Sequence, residues 1–315
     1  MEFDLIARIR SRARLRKDVA TGIGDDAAVL RPAAGHELVV TTDVLNEGVH
    51  FRASHPPADI GWKALAVNLS DLAAMGAEPA WCTLSLTLPE PDAAWCDAML
   101  DGFFELAGLH HVALVGGDTT RGPLALGVTA IGQVRCGQAL RRDTARPGDE
   151  VWVSGTVGDA AAALAMEQGG RQPDPFLHGR LLRPSPRVAL GAALRGTAHA
   201  CIDLSDGLVS DLGHVCSASG AGAEIIAASL PASPELQAAW PDDPTRWTWQ
   251  ASGGDDYELC FTAPPEARER VVAAAEATGT PVTRIGTITQ APGVRFVDPS
   301  GRPWSPSRSG YQHFR

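Results

Sequence analysis

Glycine and proline cut this chain into short pieces: 33 glycines and 23 prolines are spread through 315 residues, mostly between brief apolar runs. Runs of that length, partly β-branched and bounded by turn residues, read as strands. They are Leu38–Thr42, Trp81–Leu88, Val112–Val115, Leu124–Val134 and Val151–Ser154. Between the first two, Asp59–Gly76 has an N-cap candidate at Asp59, helical apolar spacing and a closing glycine, and Ala94–Leu109 shows the same signs. The second half is expected to alternate helices at 159–167, 186–195, 207–218 and 265–277 with strands at 200–204, 258–262 and 282–288. Mixing of this kind in both halves predicts an α/β (α+β) protein of two domains. The polar stretch CGQALRRDTARPGDE places their boundary near 137–147, giving domains at 1–137 and 147–315.

Charge narrows the function classes. With 27 Lys and Arg against 37 Asp and Glu the net charge is -10, the wrong sign for a general nucleic-acid binder. An acidic protein that handles phosphates must bring metal ions or local cations. No stretch is long and apolar enough to predict a membrane span. The start, MEFDLIARIR, carries Glu2 and Asp4 where a signal peptide wants positive charge. Six cysteines are scattered singly with no CxxC, the pattern of reduced thiols. Together these predict a cytoplasmic protein. Arg8, Arg10, Arg12, Arg14, Arg16 and Lys17 read as a solvated or mobile basic arm, with folding over a bound polyphosphate as the alternative.

One pattern recurs beyond what composition requires. LVVTTD ends at Asp43, ALVGGD at Asp118, ACIDLSDG holds Asp203 and Asp206, ASGGDD holds Asp255 and Asp256, and TGIGDDAAV holds Asp25 and Asp26. Each Asp sits among Gly, Ser or Thr, mostly where an apolar run stops, which is where α/β folds place their sites. Taken singly, each is a turn former or N-cap. Taken together they predict convergence, and each like-charge pair at about 4 Å then costs about 4 kcal/mol at an effective dielectric near 20. Divalent cations relieve that repulsion, and an all-oxygen donor set suits Mg²⁺. Asp71, three residues after Asn68 on the same helix, is expected to point toward this cluster, with a wet helix face as the plain alternative.

Other signals are missing. The chain has no zinc-type His/Cys spacing, P-loop, kinase catalytic motif or Rossmann glycine fingerprint. Ser205 lacks the setting of a nucleophilic serine. Asp159, after Gly155-Thr156-Val157-Gly158, reads as an N-cap.

GIGDDAAVL, TTDVLNEGVHF, KALAVNLSDLAAMGAEP, GGDTTRGP, IDLSDGLVSDLGH, SGGDDYELCF and GYQHF, in this order and spacing, closely resemble the thiamine-monophosphate kinase family of the aminoimidazole-ribonucleotide synthetase-like superfamily. The resemblance implies an N-terminal domain whose mixed sheet and helices join a second copy in a dimeric β-barrel, and a C-terminal α/β domain that completes the active site. It implies phosphorylation of thiamine phosphate by ATP. By motif match, Asp26, Thr41, Thr42, Asp43, Asp71, Asp118, Asp203 and Asp206 would hold Mg²⁺ ions. Gly117, Asp118, Arg142 and Ser205 would contact ATP, and His50, Asp255 and Tyr311 thiamine phosphate. Asp255 stands where the family commonly has Glu, one methylene longer.

The implied chemistry needs no general base, because a phosphate monoester with a second pKa of about 6 is already mostly dianionic at neutral pH. Repulsion between two polyanions is the obstacle. Positioning and charge neutralisation therefore carry catalysis, with direct in-line transfer and no phosphoenzyme. The thiazolium cation wants an aromatic wall, a role open to Tyr311; docking of the chain end beside Trp304 is the plain alternative. Within the superfamily, residues 1–40 lack the cysteine a selenophosphate synthetase would want. The His313-Phe314-Arg315 end lacks that of a carbamoyl-dehydrating hydrogenase-maturation enzyme. Aminoimidazole-ribonucleotide synthetase itself would lack the NLSDLAAMGA and GYQHF context. A non-catalytic Mg²⁺-nucleotide sensor is the alternative from another class.

Overall fold

The computed structural model describes residues 2–14, 16–307 and 310–311. Gln312, His313, Phe314 and Arg315, and so most of the GYQHF motif, lie outside the described residues. The chain forms two compact units, one containing the residues up to Leu72 with Ala77–Gly137, the other Ala73–Gly76 with the residues from Gln138 onward.

In the first unit the elements are α1 (Glu2–Arg12), β1 (Val19–Thr21), β2 (Val29–Leu30), β3 (His36–Asn46), α2 (Pro57–Ala74), β4 (Glu78–Leu88), α3 (Ala93–Leu109), β5 (Ala113–Arg121) and β6 (Ala125–Arg135). Its main sheet runs β3-β6-β4-β5, with β4 and β5 parallel and β6 antiparallel to both β3 and β4. The connections β3-α2-β4 and β4-α3-β5 are therefore crossovers stepping in one direction, and the right-handed rule puts both helices on one face. Strand alternation then divides β3. Thr41 and Asp43 face α2, while Leu38, Val40 and Val44 stand on the other face at 49%, 60% and 51% exposure.

Two glycines let α2 and α3 touch backbone to backbone. A Cβ on Gly61 would lie 1.9 Å from the Met99 carbonyl oxygen, and one on Gly102 would lie 1.8 Å from that of Ala58. The start of α2 at Pro57 puts Asp59 inside the first turn rather than at the cap. α3 is capped by Asp92, whose carboxylate accepts the Trp95 amide.

Much of the basic arm is a docked helix rather than a structureless segment. It contains helix α1, which lies on α3 through Arg8–Asp97 at 2.7 Å and Arg12–Asp101 at 2.5 Å, with Arg12 5.5 Å from the centre of the Phe104 ring. Arg16 pairs with Asp18 and covers Trp81. The run of Arg at even positions hid the apolar Ile6 and Ile9 that let this segment pack.

The second unit comprises β7 (Glu150–Ser154), α4 (Asp159–Gln168), α5 (Pro175–Leu182), α6 (Val188–Ala193), β8 (Ala200–Asp203), α7 (Leu208–Ser219), β9 (Gly222–Ile226), α8 (Pro234–Ala239), α9 (Asp243–Ser252), β10 (Leu259–Ala263), α10 (Arg268–Thr278), β11 (Val282–Thr289), β12 (Gly293–Val297) and β13 (Pro303–Trp304). Its seven-stranded sheet, β13-β12-β9-β11-β7-β10-β8, is antiparallel except between β9 and β12. Both faces are covered. Val151, Val153, Ile202 and Cys260 pack with Leu212 and Val215 of α7, whereas Trp152, Cys201, Leu259 and Phe261 pack with Leu190 of α6 and Val271 of α10. Burial on both sides explains why β7, β8 and β10 read as continuous apolar runs. The elements α5, α8, α9, β9, β12 and β13 escaped the sequence reading, being short or interrupted by Gly, Pro and Trp. Among the described residues no helix is long and apolar enough to cross a membrane.

Candidate active site

Among the described residues, no three His, Cys, Asp or Glu side chains come together as a ready-made metal cluster. Carboxylates do meet within each unit.

In the first unit the pair is Asp43 and Asp71. Asp43 is not a loop residue, because β3 continues to Asn46 and places it within the strand. Thr41 Oγ1 donates to Asp71 Oδ2 at 2.5 Å, and the Asp43 amide donates to Asn68 Oδ1 at 3.1 Å, so Asn68 and Asp71 of α2 both face β3. Burial first, and the Asp71 charge second, push the Asp43 carboxyl up to about 6. Thr42 faces the opposite side, receiving a hydrogen bond from Thr129 Oγ1.

Asp118 also lies within a strand. Register aligns Asp43, Val128, Leu84 and Gly117 across the sheet. Asp118 therefore stands one residue beyond a position three strand spacings from Asp43, about 14 Å along the sheet. With Gly117, Ile6, Ile9, Ile23 and Leu84 it lines a pocket of about 110 Å³. Gly117 has φ +149, and a Cβ there would lie 1.9 Å from the Leu84 carbonyl oxygen. Asp26 is exposed, and its amide donates to Asp25 Oδ1. His50 follows β3, and its Nδ1 accepts the Asn46 amide at 3.0 Å. The buried Lys63 reaches the His50 carbonyl, a cation that the acidic pattern did not reveal.

In the second unit, IDLSDG and GGDDYE lie side by side. The Asp255 amide donates to the Ser205 carbonyl at 2.9 Å and the Tyr257 amide to the Leu204 carbonyl at 2.8 Å. The Tyr311 amide donates to the Asp206 carbonyl at 3.1 Å. Asp203, Ser205, Asp206, Asp255 and Tyr311 are thus gathered by backbone contacts. Tyr311 is 47% exposed and lines an open cleft of about 1330 Å³ with Trp249, Trp304 and Ser252–Gly254. The Arg142 carbonyl accepts the Ser219 hydroxyl at the C-terminal end of the 12-residue α7.

Several functional candidates were invisible in the acidic pattern. Asp211 reaches back to the amides of Asp206 and Gly207 at 3.1 and 3.0 Å, in the manner of a capping box, and holds the turn that carries Asp206. Burial, then the Asp206 charge, push its carboxyl up to about 7 against those amides. Asp255 and Tyr257 adopt φ of 68° and 51°, a strained conformation for non-glycine residues worth about 1–3 kcal/mol each. The Tyr257 hydroxyl donates to Asp255 Oδ1 at 3.1 Å. Behind them Asp256 accepts the Gly158 amide, and the fully buried Glu258 accepts from Ser154, Arg180 and Arg187. Asp159 is not the N-cap. Gly158 holds that position, and the buried Asp159 carboxylate accepts from Thr156 and Ser233.

The donor chemistry fits Mg²⁺. Mg²⁺ keeps several waters and needs only one or two protein carboxylates together with substrate phosphates, so a carboxylate pair flanked by threonine and asparagine oxygens suffices without a closed protein cage.

The model of the AIR synthase related protein N-terminal domain matches residues 24–134, and that of its C-terminal domain matches residues 146–299. The thiamine-monophosphate kinase of Salmonella typhimurium is 48% identical over 320 residues, covering 99% of this chain and 98% of that protein. The crystal structure of the thiamine-monophosphate kinase from Stenotrophomonas maltophilia superposes with a TM-score of 0.87 at 54% identity, covering 94% of this chain and 96% of that one. A structure of AaThiL complexed with AMPPCP and TMP superposes at 0.80 with 33% identity, covering 99% and 96%. Matched along nearly its whole length by both domain models and by these relatives, the chain belongs to the thiamine-monophosphate kinase family of AIR synthase related proteins.

Proposed function

We propose that this protein transfers the γ-phosphoryl group of ATP to thiamine phosphate, giving thiamine diphosphate and ADP. The observation that carries this reading is the full-length likeness to AaThiL, whose structure holds AMPPCP and TMP. Asp43 and Asp71, with Thr41, are the principal holders of Mg²⁺, joined at further positions by Asp26, Thr42, Asp118, Asp203 and Asp206. When bound, Mg²⁺ supplies charge neutralisation between the two polyanions and in-line alignment of donor and acceptor. Gly117, Asp118, Ser205 and Arg142 contact ATP. His50, Asp255 and Tyr311 contact thiamine phosphate, with the Tyr311 ring offered to the thiazolium in the cleft beside Trp249 and Trp304.

The attacking oxygen is ionised at neutral pH, so these side chains have no proton to remove and act by holding and orienting. A second copy of the chain covers the open face of the β3-β6-β4-β5 sheet as a homodimer closing a barrel. A long edge strand with three exposed aliphatic residues needs such a cover. The six free cysteines, five of them buried, suit the reducing cytoplasm.

Incubation with ATP, Mg²⁺ and thiamine phosphate, followed by chromatography, tests the reading. Thiamine diphosphate should accumulate in step with ADP. ATP binding without product would make the protein a sensor instead. Labelled ATP should leave no acid-stable label on the protein, and a trapped phosphoenzyme would refute direct transfer.

A further inference from the structure

We propose that Glu258, gripped by Arg187 and Arg180, is a positioning residue for thiamine phosphate: it holds the Asp255–Tyr257 turn in its left-handed conformation so that the Asp255 carboxylate is presented to the substrate. This rests on the substrate role given above to Asp255.

The observations are local to the second unit. Asp255 and Tyr257 both have positive φ; Asp tolerates this region better than most residues, but a bulky Tyr needs restraint to stay there. The restraint comes from the residues that alternate with them. Asp256, 2% exposed, accepts the Gly158 amide through both oxygens at 3.0 and 2.8 Å. Glu258 has no exposed surface, and both of its oxygens are engaged. Oε1 accepts from Arg180 at 2.8 Å and from Arg187 Nη2 at 2.5 Å; Oε2 accepts from Arg187 Nε at 2.7 Å and from Ser154 Oγ at 2.5 Å. The Arg187 contact is thus a two-point fork, the geometry a lysine cannot reproduce.

Arg180 adds a second hold on the turn, donating to the Asp256 carbonyl at 3.2 Å. The space is shaped for this carboxylate. Gly155 has φ +56, and a Cβ there would stand 2.2 Å from Glu258 Oε1. The Glu258 carbonyl accepts the Leu204 amide at 2.9 Å, tying the same residue to the IDLSDG segment.

The test compares Arg187→Lys and Asp255→Asn with the parent in steady-state assays, varying each substrate separately. Arg187→Lys keeps the buried charge and loses only the fork, so it should fold; Glu258→Gln, which strands two arginines, serves as the more severe variant. The expected result for Arg187→Lys is a KM for thiamine phosphate raised about tenfold. Its KM for ATP should stay within twofold, and turnover at saturating thiamine phosphate should stay near the parent's. Asp255→Asn should raise the same KM.

Arg187→Lys kinetics identical to the parent's, alongside a raised KM in Asp255→Asn, would overturn the clamp and leave the substrate role of Asp255 standing. Both KM values rising together with a fall in turnover would show general loosening and also overturn it. An unchanged thiamine-phosphate KM in Asp255→Asn would remove the substrate role of Asp255, and the clamp's purpose with it.

Discussion

Asp43, proposed above to hold Mg²⁺, is a partly buried carboxylate that weakens the fold near neutral pH. Its carboxyl is pushed up to about 6 by burial and by Asp71, so the folded chain holds a proton that the unfolded chain, near 3.8, releases. Stability from this group is therefore greatest at low pH and is lost as pH rises through about 6. Asp43→Asn should melt several degrees above the parent at pH 8 without Mg²⁺, with the difference vanishing toward pH 4; scanning calorimetry at both pH values checks this. Added Mg²⁺ should raise the melting temperature of the parent by more than that of Asp43→Asn. Tyr311→Ala should raise the KM for thiamine phosphate between a few-fold and about thirtyfold, the range set by a cation–π contact of about 0.5–2 kcal/mol. An unmoved KM would leave Tyr311 as a residue that merely docks the chain end. At this scale Asn68 and Asp71 were legible because helical spacing alone puts them on one face. Asp211, Asp256 and Glu258 were not, because their partners are backbone amides and arginines far away in the chain.

Elements were legible where one pattern dominated. The long helices α2 and α3 and the apolar strands β4, β6 and β7 carry their own signal. Helix α1 did not, because its arginines outnumber the apolar residues that dock it, and its partners Asp97 and Asp101 lie about ninety residues away. Its ion pairs are exposed, so Arg8→Ala with Arg12→Ala should cost no more than about 2 kcal/mol in urea unfolding, and less at high salt. The α2–α3 contact is more demanding. Gly102→Ala drives a methyl into the Ala58 carbonyl, and a loss of about 3 kcal/mol or more is expected, with Gly108→Ala, which meets only the tip of Arg14, as the mild control.

For the whole molecule the open sheet face is the main debt left by a single chain. Val40→Lys should leave the protein folded and convert the proposed dimer to a monomer in sedimentation velocity; a parent that is already monomeric would refute the interface. What the amino-acid order determined unaided was the class of fold, the two-part organisation, the recurring Asp–Gly segments and the family they resemble. Each of these is carried by residues near one another in sequence. Tertiary structure alone decided that Asp43 and Asp118 lie within strands on a shared sheet, that Asp43 meets Asp71 of α2, and that the half-buried Arg180 and Arg187 both pair with Glu258. Those outcomes depend on register, strand order and burial, which arise only when distant segments pack, and burial is what turns an ordinary carboxylate into one with a shifted pKa.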